Sequence, residues 1–122
     1  MIKRVSRYNS IKAFITKDGS VIRELMHPDK HKNRGISVAE ARLAPGRKTL
    51  AHCHEQSEEI YVVLAGSGWM ERSGKRFNIE SGMTIAILPG EVHALENSGT
   101  VELVILCCCT PAYRDDDTRL LE

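Results

Sequence analysis

His52 and His54 flank Cys53 in the run Gly46-Arg47-Lys48-Thr49-Leu50-Ala51-His52-Cys53-His54. In an extended chain residues i and i+2 share a face, so both imidazoles can aim at one point while Cys53 turns away. The next residues, Glu55-Gln56-Ser57-Glu58, are polar and short enough to reverse the chain. A carboxylate opening the following antiparallel strand can then meet the same point. Spacing does not choose between Glu58 and Glu59: the first would share its face with Ile60, Val62 and Leu64, the second with Tyr61 and Val63. A third histidine, His93, follows Leu88-Pro89-Gly90-Glu91-Val92, a turn able to swing a new strand back inward. Three neutral imidazoles and one carboxylate suit a divalent first-row transition metal such as Fe, Mn, Ni, Cu or Zn. The all-oxygen cages of calcium and magnesium look different. On an octahedral ion this set leaves two positions open for a ligand or O2, whereas on tetrahedral zinc it closes the site.

Such a centre needs rigid strands. From Ile36 onward, short runs rich in Val, Ile, Leu and Tyr alternate with Gly, Pro, Asn and Ser punctuation. The pattern predicts strands near 36–43, 48–54, 59–65, 68–72, 75–79, 83–88, 92–96 and 101–109, hence an all-β sandwich or barrel. No stretch keeps a helical period long enough for βαβ units. Residues 1–20 read as an extended lead-in, with Lys17-Asp18-Gly19-Ser20 as a turn. Val21–Met26 fits a strand or a helical turn. Residues 27–35 read as a polar surface loop whose His27 and His31 are solvated. The organisation expected is a lead-in and loop over 1–35, a barrel over 36–110 and a charged tail over 111–122.

The chain has 122 residues, enough for one domain with one core. Its 17 basic and 16 acidic residues nearly cancel, which gives no footprint for nucleic acid or an anionic membrane. No apolar run approaches the roughly 20 residues that span a bilayer, and no signal-peptide pattern opens the chain. Three of the four cysteines are consecutive, Cys107 to Cys109. They cannot easily pair with one another in a strand, so reduced, packed thiols in a cytoplasmic protein are expected. Arg42 could face inward and hold an anion or face outward, and Trp69 could be core or pocket wall; the local pattern settles neither.

Two motifs carry a resemblance to a known family. Gly46, His52, His54, Glu59 and Gly66 resemble the first motif of the cupin superfamily, and Gly82, Pro89-Gly90, His93 and Asn97 resemble the second. The likeness spans about residues 36–110, with Leu88 standing where a proline is usual. It implies a jelly-roll β-barrel with one metal held by His52, His54, Glu59 and His93, and so favours Glu59 over Glu58. It leaves Tyr61 and Glu58 as acid/base candidates beside the metal, Glu58 otherwise serving as a hydrogen-bond partner to a ligand imidazole.

The expected function is a metalloenzyme acting on a small oxygen-containing metabolite, with dioxygenase-like oxidoreductase chemistry favoured. Alternatives are a binding or sensing barrel with a structural metal, or a cupin isomerase or decarboxylase. A small-molecule partner is expected, with no nucleic acid and no membrane. Strands apolar on both faces, as at Ile60–Leu64, predict a homodimer.

Overall fold

The structure is a computed structural model that describes residues 3–121. Its strands are β1 (Phe14–Ile15), β2 (Val21–Met26), β3 (Ser37–Leu43), β4 (His52–His54), β5 (Glu58–Ala65) and β6 (Ser67–Arg72). They continue as β7 (Lys75–Glu80), β8 (Thr84–Ile87), β9 (His93–Glu96), β10 (Leu103–Thr110) and β11 (Thr118–Leu120). Among the described residues one α-helical turn, α1 (Pro28–His31), and two 3-10 turns, Tyr8–Ser10 and Asp115–Asp117, complete the series. All pairings are antiparallel and form two sheets, β1-β2-β3-β10-β5-β8 and β11-β4-β9-β6-β7. The all-β jelly-roll expected from the sequence is the architecture observed.

The sheets face each other because their strands alternate. In β5, Glu59, Tyr61 and Val63 are buried, while Glu58, Ile60 and Val62 are half-buried on the opposite face. The inward residues of both sheets meet in one core that includes Val63, Met70, Ile79, Ile87, Leu103 and Ile105. Each such side chain contributes on the order of 1.5–3 kcal/mol through burial. The strand joint at Gly66 is tight: its φ is +84° and an added Cβ would lie 2.6 Å from the Glu102 carbonyl oxygen. Only glycine fits both demands.

Most expected strands are found within one or two residues. The strand expected over 48–54 is shorter. Only His52–His54 form β4, and Lys48 makes an isolated bridge to Glu96. The reason is competition for the intervening backbone, since the Leu50 N–H bonds to the Asp18 carbonyl (2.8 Å) instead of a sheet neighbour. Val21–Met26 is a strand, paired with β3. The lead-in thus extends the larger sheet through β1 and β2, and the tail joins the smaller one through β11 on β4.

The loop over 27–35 departs from expectation. Its first histidine is not solvated: His27 is 6% exposed. Its Nδ1 accepts from the Asp29 N–H (3.1 Å), capping α1, and its Nε2 donates to the Tyr113 carbonyl (2.7 Å). His31 Nδ1 accepts from the His27 N–H (3.0 Å). Pro28 at the first position and Lys32 in the left-handed region bound this single turn. Among the described residues no helix is long and apolar enough to cross a membrane.

Candidate metal centre

Strand register brings the histidines together. His52 of β4 and His93 of β9 are direct cross-strand partners, and His54 shares the inward face of β4. The ring centroids of His52 and His93 lie 4.2 Å apart, those of His54 and His93 5.6 Å. One ligating atom from each of the three lies within 4.8 Å of the other two. Glu59, from β5 of the facing sheet, reaches this group: its Oε1 is 3.2 Å from His54 Nε2 and 3.4 Å from His93 Nε2.

Each ring is oriented by its other nitrogen. His52 Nδ1 donates to the Leu50 carbonyl (2.9 Å) and His93 Nδ1 to the Glu91 carbonyl (3.0 Å). His54 Nδ1 donates to Thr118 Oγ1 (3.1 Å), whose own hydroxyl donates to the Arg114 carbonyl (3.0 Å). With Nδ1 carrying the proton, a ring in its neutral form would turn an Nε2 lone pair to a metal at the centre; in this structure His54 Nε2 instead lies at hydrogen-bond distance from Glu59 Oε1 (3.2 Å), to which it can donate. His93 Nε2 is a buried atom with no hydrogen-bond partner. A buried ring nitrogen without a partner, beside two more imidazoles and a carboxylate, fits a divalent cation bound among them.

The charges agree. Burial would raise Glu59, but the facing His54 and His93 outweigh it and hold the carboxylate near about 2, so it is an anion at neutral pH. Burial, then the like charge of His93, lowers His52 below its ordinary 6.5, keeping it neutral and able to ligate.

His52, His54 and Glu59 border a cavity of about 60 Å³ whose wall also includes Tyr61, Cys107, Cys109, Tyr113 and Asp18. Tyr61 is buried edge-on to His93, with centroids 5.8 Å apart. Burial first, then the Glu59 charge, raises its hydroxyl, so Tyr61 remains a protonated phenol able to donate a hydrogen bond. The structure does not bring Glu58 to the cluster: it lies on the opposite face of β5, and the histidine Nδ1 atoms bond elsewhere. Arg42 borders the cavity, yet its guanidinium is held by Glu40 (2.9 Å) and Glu102 (2.7 Å). Trp69 is not on the cavity wall and instead lies under Arg76, at 4.5 Å.

Four residues escape a reading of the sequence. Cys109, expected only to pack, donates from Sγ to Glu59 Oε2 (3.2 Å). Its thiol and that of Cys107 are pushed up by burial and then by Glu59, so both stay protonated. Thr118 and Tyr113 arrive from the tail, Tyr113 edge-on to His54 at 5.8 Å. Asp18 arrives from the lead-in, with Oδ2 3.6 Å from His52 Nε2. Only the Lys17-Asp18-Gly19-Ser20 turn signal marked that place, and a turn signal says nothing about what the turn touches.

Comparison with known proteins places the chain. The cupin domain model matches residues 39–109. The chain is 49% identical to an uncharacterized protein of Methanocaldococcus jannaschii, over 96% of this chain and 94% of that one. It is 31% identical to the oxalate-binding protein of Thermotoga maritima, over 85% of this chain and 82% of that one. A solved structure of a predicted oxalate decarboxylase of Thermotoga maritima is similar at a TM-score of 0.76 and 28% identity, covering 88% of this chain and 98% of that one.

Proposed function

The chain belongs to the cupin family, and we propose that it uses His52, His54, Glu59 and His93 to hold one divalent transition metal that binds a small bidentate oxygen compound. The observation that carries this reading is the convergence of the three Nε2 atoms, each ring turned inward by a hydrogen bond at its Nδ1. When bound, such a metal supplies Lewis-acid character and a template for two oxygen donors, and with iron or manganese a route to O2 chemistry.

The protein's own part is specific. The Nδ1 hydrogen bonds fix the tautomers, Glu59 neutralises one of the metal's two charges, and the apolar core excludes water from the back of the centre. Tyr61 offers a neutral donor along the wall. We favour dioxygenase-like oxidation of the bound compound: Tyr61, Cys107 and Cys109 on the wall all hold their protons, so the chemistry is assigned to the metal and not to a proton shuttle between those side chains. A second reading, binding without turnover, is favoured by the likeness to an oxalate-binding protein. The half-exposed outer face of β5, with Ile60, Val62 and Leu64, is where we place a homodimer contact, to be checked by sedimentation.

The test is to reconstitute the full chain with Fe(II) or Mn(II), titrate small bidentate oxygen compounds, and follow O2 uptake. Saturable binding with O2 uptake supports the oxidative reading. Saturable binding without it supports the second. No binding by the metal-loaded protein overturns both.

A further inference from the structure

A second carboxylate stands at the centre, on a different histidine from the first. Glu59 meets His54 and His93; Asp18 meets His52, with Oδ2 at 3.6 Å from Nε2. Asp18 is held firmly. Its Oδ1 accepts from Thr16 Oγ1 (2.8 Å), the Ser20 N–H (2.9 Å) and Ser20 Oγ (2.6 Å). Leu50 ties it to the histidine: the Leu50 N–H donates to the Asp18 carbonyl (2.8 Å), and the Leu50 carbonyl accepts from His52 Nδ1 (2.9 Å). Oδ1 is therefore saturated, and Oδ2 is the oxygen left for an occupant of the cavity. The Asp18 side chain is only 14% exposed.

Charge then constrains the occupant. A divalent ion with Glu59 bound keeps one positive charge, and Asp18 cancels it nearby. A carboxylate oxygen only accepts, so the group facing Oδ2 has to bring a hydrogen. Among the described residues of the wall Arg42 is the single guanidinium or ammonium group, and it is committed to Glu40 and Glu102. With the centre then neutral, nothing there offsets either charge of a dianion.

We propose that Asp18 sets the ligand class of the metal centre: a small uncharged oxygen compound that carries a hydroxyl, such as a vicinal diol or an α-hydroxyketone, which donates to Asp18 Oδ2 while its oxygens face the metal. Dicarboxylate dianions such as oxalate are disfavoured. This rests on the metal-centre reading given above and narrows it.

The test uses Mn(II)-loaded full-length protein, with hydroxyacetone and oxalate as probes and water-proton relaxation and calorimetry as readouts. Asp18→Asn keeps the shape and removes the charge. The expected result is Mn(II) still bound, with its affinity lowered by loss of the nearby charge, hydroxyacetone affinity lowered at least fivefold and oxalate affinity raised at least tenfold. Ser20→Ala, which loosens the carboxylate without removing it, should shift both in the same directions by less. Oxalate affinity unchanged or lowered in Asp18→Asn overturns the proposal, as does loss of Mn(II) itself, which would make Asp18 a ligand instead of a selector. If the parent protein takes up Mn(II) and Asp18→Asn changes nothing, this inference fails while the metal centre stands. If the parent takes up no Mn(II), the metal centre fails and this inference with it.

Discussion

His52 and His93 face each other as cross-strand partners of β4 and β9, their ring centroids 4.2 Å apart, although the two strands are separated in sequence by four others. The contact is set by register. A slip of one residue in either strand would turn its histidine to the outer face and dismantle the centre.

That register depends on the loop following β9. Asn97 is fully buried, and its Nδ2 donates to the carbonyls of Leu43 (2.8 Å) and Val101 (2.9 Å), while its Oδ1 accepts from the Gly99 N–H (2.9 Å). Asn97→Ala leaves these groups unpaired in the interior. It should lower unfolding free energy by about 3 kcal/mol, measured by urea denaturation of the metal-free protein. A loss within error of zero would show that this loop does not anchor the strand.

Acid should weaken the metal-free fold in two stages. His52 is lowered by burial below its ordinary 6.5, so below that pH the unfolded chain binds the proton more readily and stability begins to fall. Glu59, held near about 2 against an ordinary 4.5, contributes stability that is complete above 4.5 and is lost as pH falls through 4.5 toward 2. This second stage amounts to about 3 kcal/mol. Chemical denaturation across pH 2–8 should show both, with the lower stage absent in Glu59→Gln. A Glu59→Gln profile identical to the parent's would contradict the assignment.

The three adjacent cysteines should separate by face. Cys109 donates to Glu59 Oε2 and Cys108 makes no such contact, being on the other side of β10. Cys109→Ala should weaken metal binding by about tenfold, the low end for a residue that orients a ligand, since a thiol is a weak donor. Cys108→Ala should leave it unchanged. A chelator-competition titration with Mn(II) distinguishes the two, and equal effects would place the influence of Cys109 in packing alone.

The sequence carries what is local and periodic. The inward pairing of His52 with His54 follows from two-residue alternation, and Glu59 could be preferred to Glu58 only through the motif resemblance, because alternation treats both alike. The turn before His93 announces a new strand but not its partner. What stays hidden is contact between distant segments. Thr118 orients His54 from the tail, Asp18 reaches His52 from the lead-in, and His27 is buried by a bond to Tyr113, all across separations that no window of periodicity covers. Cys109 was visible as an apolar-strand residue, but its bond to Glu59 depends on β10 lying beside β5.

The central claim is that these residues hold a metal. The direct measurement is metal content per chain by elemental mass spectrometry, on full-length protein purified without chelator or affinity tag, beside His52→Ala and His93→Ala. The account predicts about one equivalent of a divalent transition metal in the parent and a loss of affinity greater than about 100-fold in both variants. A parent protein that takes up no metal even after reconstitution, or variants that retain it fully, would contradict the account.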